Sequence, residues 1–208
     1  MNPLFLTLGG SGVFTSMVKD HEARHRAYCS KWGYEYRAIT EDVDVTDPWV
    51  RLRLILHAMK EDRFSHVFWV DADTFVADFS HDMRKTLPEW AWLGMTIHPY
   101  PWRTPEPWHL QSGMFYFRCC PEAVAFLERC LFMIEVVPDD QTAVNWLMVN
   151  GPEAVKWQSG LFIIPYRWNN TLHDQVCNPI VAAFHGFLSG EDRRNYMLMK
   201  AKDFPFGG

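Results

Sequence analysis

A chain of 208 residues with 48% apolar and 22% charged residues has ample material for a sizeable core, and no linker-like stretch divides it, so one domain over residues 1–208 is expected. A formal net charge of −5 with no dense Lys/Arg run argues against nucleic acid or an anionic membrane surface as partner. The five cysteines include no C-x-x-C pair, which argues against a disulfide framework and a structural zinc site. With no apolar run of about 18 residues and no secretion-type start, no membrane span and a cytoplasmic location are expected.

Residues 4–8 form a short apolar run that stops at Gly9-Gly10-Ser11-Gly12, the pattern of a buried strand followed by a loop whose backbone can approach a ligand. Val18, Ala23, Ala27, Tyr28 and Trp32 then recur at helical spacing over residues 15–32. Gly33 is placed to end that helix before a strand at 34–39. Asp47-Pro48 reads as an N-cap with Pro at the first helical position, opening an amphipathic helix through Leu52, Ile55, Leu56 and Met59.

A third strand at 66–70 delivers Asp71-Ala72-Asp73 at its C-terminal end, where open α/β sheets place ligands. Residues 91–97 read as a strand, and 98–109, with four prolines, as a loop. A strand at 112–118, a helix at 121–136, a helix at 141–149 capped by Asp139-Asp140, and strands at 161–165 and 180–184 follow. The alternation predicts an α/β three-layer sandwich with a mostly parallel central sheet.

The sharpest feature is FWVDADTFVAD at 68–78. Side chains alternate along a strand, so Asp71 and Asp73 are expected on one side, able to share a divalent cation. Such a cation offsets the charge of a diphosphate leaving group. A turn cap is the plainer reading of two such carboxylates, and a short motif alone does not decide between them.

Further segments in matching order extend the pattern. Trp49 and Arg51 precede the Asp-x-Asp strand, Ser112 and Gly113 lie on a strand ending in Arg118, Asp139-Asp140-Gln141 open a helix, and His185 follows a late strand. Over residues 34–190 the chain resembles the GT-A glycosyltransferases, most closely the galactosyl-, mannosyl- and xylosyltransferase family of fungi and plants. The resemblance implies a metal-dependent transfer of a hexose or pentose from a UDP- or GDP-linked sugar to a hydroxyl acceptor such as a carbohydrate, with retention of configuration.

It also implies roles. Asp73 binds Mn²⁺ (or Mg²⁺) directly, Asp71 contacts metal and donor, and His185 completes the protein's coordination. Arg51 binds the donor through phosphate or sugar hydroxyls. Asp140 and Gln141 lie beside the anomeric carbon as the catalytic pair. Gly10, Ser11, Ser112 and Gly113 are expected along the donor. Trp102 and Trp108 in the Pro-rich loop are candidates to stack on the acceptor, or to lid the core.

The chain departs from the family at Gln111, where Asn is usual, and at Leu188, where Gly is usual. The family's diphosphate-gripping base falls to Arg193 or Arg194, and Arg193 is taken as the donor contact. Two other readings are weighed. A haloacid-dehalogenase-type phosphatase also uses Asp-x-Asp, but it wants Thr where Phe75 stands and places the motif on its first strand. A non-catalytic sugar- or nucleotide-binding module on the transferase fold is disfavoured by the intact Asp71, Asp73, Asp140 and His185.

Overall fold

The computed structural model describes residues 1–41, 43–44, 46–97, 109–171, 179–184 and 189–205. Strand β1 (Asn2–Leu8) leads through Gly9 and Gly10 into helix α1 (Gly12–Trp32), which Gly33 ends in the left-handed conformation at φ 72°. Strand β2 (Glu35–Ile39), helix α2 (Val50–Lys60) and strand β3 (Phe64–Val70) follow. Next come β4 (Thr74–Val76), β5 (Leu93–Ile97) and β6 (Leu110–Arg118), then α3 (Pro121–Leu131) and α4 (Asp140–Asn145). The chain continues through α5 (Ala154–Gln158), β7 (Leu161–Ile163), β8 (Asn170–Thr171), β9 (Val181–Ala183) and α6 (Gly190–Ala201).

The main sheet has the order β2-β1-β3-β6-β5-β7. β1 pairs in parallel with β2 and β3, and β5 with β7, while β6 runs antiparallel to both β3 and β5. Reversing β6 sets its first half, from Ser112 to Met114, beside the C-terminal end of β3, where Val70 pairs with Met114. The C-terminal end of β3 and the first half of β6 thereby lie side by side.

Both faces of this sheet are covered, and the alternation of side chains shows how. Leu4, Leu6, Val67, Trp69, Phe115 and Phe117 pack on one face with residues of α2, α3 and α4. Phe5, Phe68, Val70, Met114 and Tyr116 pack on the other with Tyr28 and Cys29 of α1. The expected three-layer α/β architecture with a mostly parallel central sheet is what forms, made mixed by β6.

Some boundaries move. The second helix starts at Val50 rather than Pro48, although Asp47 does accept from the Trp49 N–H at 2.9 Å. The helix expected to reach residue 136 is regular only to Leu131, and the one after Asp139 passes into a wider π turn at Trp146–Asn150. The strand at 181–183 leaves the main sheet and forms a separate three-stranded sheet in the order β4-β9-β8. Phe75, Ala182 and Phe184 of that region pack with Met17 of α1 and Met197 of α6.

Candidate functional site

β3 is apolar and β-branched or aromatic up to Val70, and regular pairing ends there. The Asp71 N–H still donates to the Gly113 carbonyl at 3.0 Å, and a turn then closes as Thr74 N and Oγ1 donate to the Asp71 carbonyl at 3.1 and 2.6 Å. Asp71 and Asp73 therefore leave from a turn between β3 and β4 rather than from one extended strand. They nonetheless face one cleft, of about 330 Å³, lined also by Leu8, Phe14, Asp47, Arg51 and Arg193.

A second cavity of about 230 Å³ lies alongside, lined by Arg51, Asp71, His109, Gln111, Ser112, Gly113 and Gln141. Arg51 and Asp71 line both spaces. They form the wall between them.

Arg51 stands in the first turn of α2, which aims it across the sheet end. Its Nη2 donates to Asp140 Oδ1 at 2.6 Å and its Nε to Asp140 Oδ2, while Nη1 reaches Asp71 Oδ2 at 3.2 Å and the Ser112 carbonyl at 3.0 Å. Burial works against the Arg51 charge, but the carboxylates of Asp71 and Asp140 outweigh it and hold the guanidinium above its ordinary range. The Trp69 indole, on the same side of β3 as Asp71, donates to Asp71 Oδ1 at 2.8 Å and fixes that carboxylate from behind.

Asp140 is fully buried and is not among the residues lining either cavity. It lies behind Arg51. Asp139 caps α4 by accepting from the Thr142 N–H at 2.7 Å, as expected. Gln141 does line the second cavity, where its Oε1 accepts from Ser112 Oγ at 2.7 Å and its Nε2 sits 2.6 Å from His109 Nε2.

Of the two candidate basic residues, Arg193 lines the first cavity, and its Nη1 donates to Asp73 Oδ2 at 2.8 Å. Arg194 turns away to Asp20 of α1 at 2.6 Å. Gly10 adopts a φ of 56°, and its N–H, like that of Gly9, points to the Ile39 carbonyl. Neither Gly10 nor Ser11 lines the first cavity, whereas the flanking Leu8 and Phe14 do. His185, Trp102 and Trp108 lie outside the described residues.

The donor chemistry suits a hard divalent ion. Asp71 and Asp73 offer carboxylate oxygens to one cleft, a set matched to Mn²⁺ or Mg²⁺ rather than to a soft metal. Among the described residues no third His, Cys, Asp or Glu joins them in a metal-sized cluster. An ion there needs oxygens from its ligand and from water as well. Also among the described residues, no helix is long and apolar enough to cross a membrane.

His109, Trp69 and Asp47 were not singled out as site residues by sequence reasoning. His109 follows a Pro-rich stretch with no spacing rule attached, and Trp69 reads as core. A signal existed only for Trp69, two residues ahead of Asp71 on the same side of a strand.

No protein-family model matches the chain, and no curated protein matches it in sequence. Among solved structures, a glycosyltransferase involved in the glycosylation of the major capsid of PBCV-1 aligns with a TM-score of 0.72 at 14% identity, covering 96% of this chain and 100% of that one. The galactosyltransferase LgtC, solved in complex with donor and acceptor sugar analogs, aligns with a TM-score of 0.52 at 14% identity, covering 96% of each chain. The mixed, mostly parallel sheet with helices on both faces is thus the fold of GT-A glycosyltransferase structures.

Proposed function

We propose that the protein is a glycosyltransferase that moves a hexose or pentose from a nucleotide-diphosphate sugar, UDP- or GDP-linked, to a hydroxyl acceptor with retention. The observation that carries this reading is the wall shared by two cavities. Arg51 and Asp71 border both, so a donor lying with its diphosphate in the first and its sugar toward the second would have its breaking bond at that wall. The fold likeness supports the same reading, since both solved neighbours are described as glycosyltransferases.

In this reading Asp71 and Asp73, with His185, hold the divalent cation. When bound, it supplies charge neutralisation for the departing diphosphate. Arg51 presents a fixed positive charge at the same wall, and Asp140 acts through Arg51 by holding it in place. Gln141, braced by Ser112 and His109, offers an oriented amide to the sugar or to the incoming hydroxyl. Trp69 keeps Asp71 facing the cleft.

Thermal unfolding of the full chain against a panel of nucleotide sugars, with and without Mn²⁺, tests the proposal. One nucleotide family is expected to raise the melting temperature only with metal, because a ligand that binds the native state alone stabilises it. Release of nucleoside diphosphate from that donor should follow. Metal-independent phosphate release from simple phosphomonoesters, with no response to any nucleotide sugar, would replace this reading with a phosphatase.

A further inference from the structure

At the end of the main sheet away from Asp71, β5 begins and β6 ends. The Arg118 N–H donates there to the Trp92 carbonyl at 2.9 Å, and Ser112 lies about 20 Å back along the strand. Trp92 and Arg118 border a cavity of about 340 Å³ together with Glu89, Trp90, Glu122 and Ser159. None of these residues borders the two cavities at the Asp71 wall.

Trp90 is 59% exposed, yet its ring is set edge-on to Phe162 of β7, with centroids 6.0 Å apart at 79°. A flat apolar face is thus presented to water at a fixed angle. Trp92, at 7% exposure, packs on Phe126 and Trp157 and lies against the backbone of Gly160, where a Cβ would fall 1.6 Å from its Nε1. Among the described residues that indole N–H has no acceptor, although a buried indole N–H usually finds one. Arg118 Nη2 donates to the Pro88 carbonyl at 3.0 Å, but among the described residues its buried Nε has no acceptor and no carboxylate lies within ion-pair distance of it. Glu89 and Glu122 are exposed, and neither has a cation within ion-pair distance among the described residues. Ser159 Oγ donates to the Lys156 carbonyl at 2.7 Å, which leaves its lone pairs to accept.

We infer that this cavity is a separate carbohydrate-binding site, which takes a neutral oligosaccharide by stacking one sugar ring on Trp90 and pairing its hydroxyls with Trp92 and Arg118 as donors and with Glu89 and Glu122 as acceptors. Charge decides between ligand classes. An anion would meet two carboxylates against one guanidinium, a cation would meet Arg118, and an apolar side chain would leave the Trp92 N–H and the guanidinium without partners. A sugar hydroxyl both donates and accepts, so a sugar satisfies both kinds of group while the C–H face of its ring covers the indole. The inference goes beyond the transfer reading and does not depend on it. Where that reading holds, a glycan fastened here raises the effective concentration of its other sugars around the molecule.

The test measures binding by the full chain without metal or nucleotide. Maltotetraose, cellotetraose, mannotetraose and chitotetraose are titrated by calorimetry and followed by saturation-transfer NMR, with tetragalacturonate as the charged control. At least one neutral tetrasaccharide is expected to bind, and more tightly than tetragalacturonate. Trp90→Ala should weaken that binding by roughly tenfold or more, as loss of an aromatic anchor does. Trp90→Tyr, which keeps a ring, should stay within about threefold of wild type. Trp92→Phe, which keeps the packing and removes the N–H, should weaken binding by about three- to tenfold. Because Trp90 is exposed, Trp90→Ala still decides the matter if Trp92→Phe folds poorly. Binding that survives Trp90→Ala puts the sugar elsewhere and overturns the inference. So does binding of none of the four neutral probes, or a preference for tetragalacturonate, which would make this an anion site. Each of these outcomes leaves the transferase reading in place, since that reading stands or falls on metal-dependent binding of nucleotide sugar, which Trp90→Ala should leave unchanged.

Discussion

Arg51 holds Asp140 through two parallel contacts, Nη2 to Oδ1 at 2.6 Å and Nε to Oδ2, with the carboxylate side chain only 1% exposed. Among the described residues Arg51 is the one counterion of this buried carboxylate, which depends on it. Arg51→Ala should destabilise the chain by about 3–5 kcal/mol, the usual cost of leaving one partner of a buried pair, and lower its melting temperature by on the order of 10 °C. Arg51→Met combined with Asp140→Leu should recover most of that loss while remaining inactive. Calorimetry of the single and double variants checks both statements. A single variant as stable as wild type would show that the pair carries no structural weight.

Much of the fold was legible because its signals are local. Short, nearly continuous apolar runs mark β1, β3 and β6 as strands, and Gly33 ends α1 as its position requires. The direction of β6 was not legible, since nothing in LQSGMFYFR distinguishes parallel from antiparallel pairing. Of the residues expected at the site, Arg51, Asp71, Asp73, Ser112, Gly113, Gln141 and Arg193 line the two cavities. Arg51 was read as a donor ligand, and its link to Asp140 spans 89 residues, a pairing that no periodicity announces. For the same reason Asp140 was read as facing the sugar, while the structure sets it behind Arg51.

Asp73→Asn keeps the size and much of the hydrogen bonding of the side chain but removes the charge that a cation and Arg193 both use. The variant should fold, with a melting temperature lowered by the weakened pair with Arg193. It should lose Mn²⁺-dependent stabilisation by nucleotide sugar and all measurable transfer. Retained transfer in this variant would remove Asp73 from the metal.

Stability should fall as pH drops from neutral toward 4. Burial, reinforced by Arg24, lowers the His21 pKa from 6.5 to about 4, and its ring packs 4.9 Å from Phe75 with no hydrogen bond to Nε2 among the described residues. Burial also pushes His25 well below its ordinary value. A base depressed in the folded state is neutral in both states above pH 6.5; below that the unfolded chain takes up protons the native one refuses. The loss should be about 1.4 kcal/mol per pH unit for each such imidazole, reaching about 3 kcal/mol for His21 near pH 4. Urea unfolding at pH 7.5, 6 and 5 reads this before carboxylates protonate. His21→Phe should flatten the slope, and an unchanged slope would assign it to other groups.

The product should keep the donor's anomeric configuration without a sugar ever bonded to Asp140. Both of that carboxylate's oxygens are engaged by Arg51, and it borders neither cavity, so it is poorly placed to attack a sugar carbon. Gln141, by contrast, presents its amide to the second cavity with Ser112 and His109 holding it. Gln141→Ala should therefore lower kcat by on the order of a hundredfold, typical of losing one oriented polar group at developing charge, with nucleotide affinity unchanged. Proton NMR of the first product formed gives the configuration, and intact-mass spectra of chain quenched during turnover report any adduct. Inversion would take Asp140 and Gln141 out of these roles. A glycosyl adduct on Asp140 would mean instead that Arg51 releases its partner during the reaction.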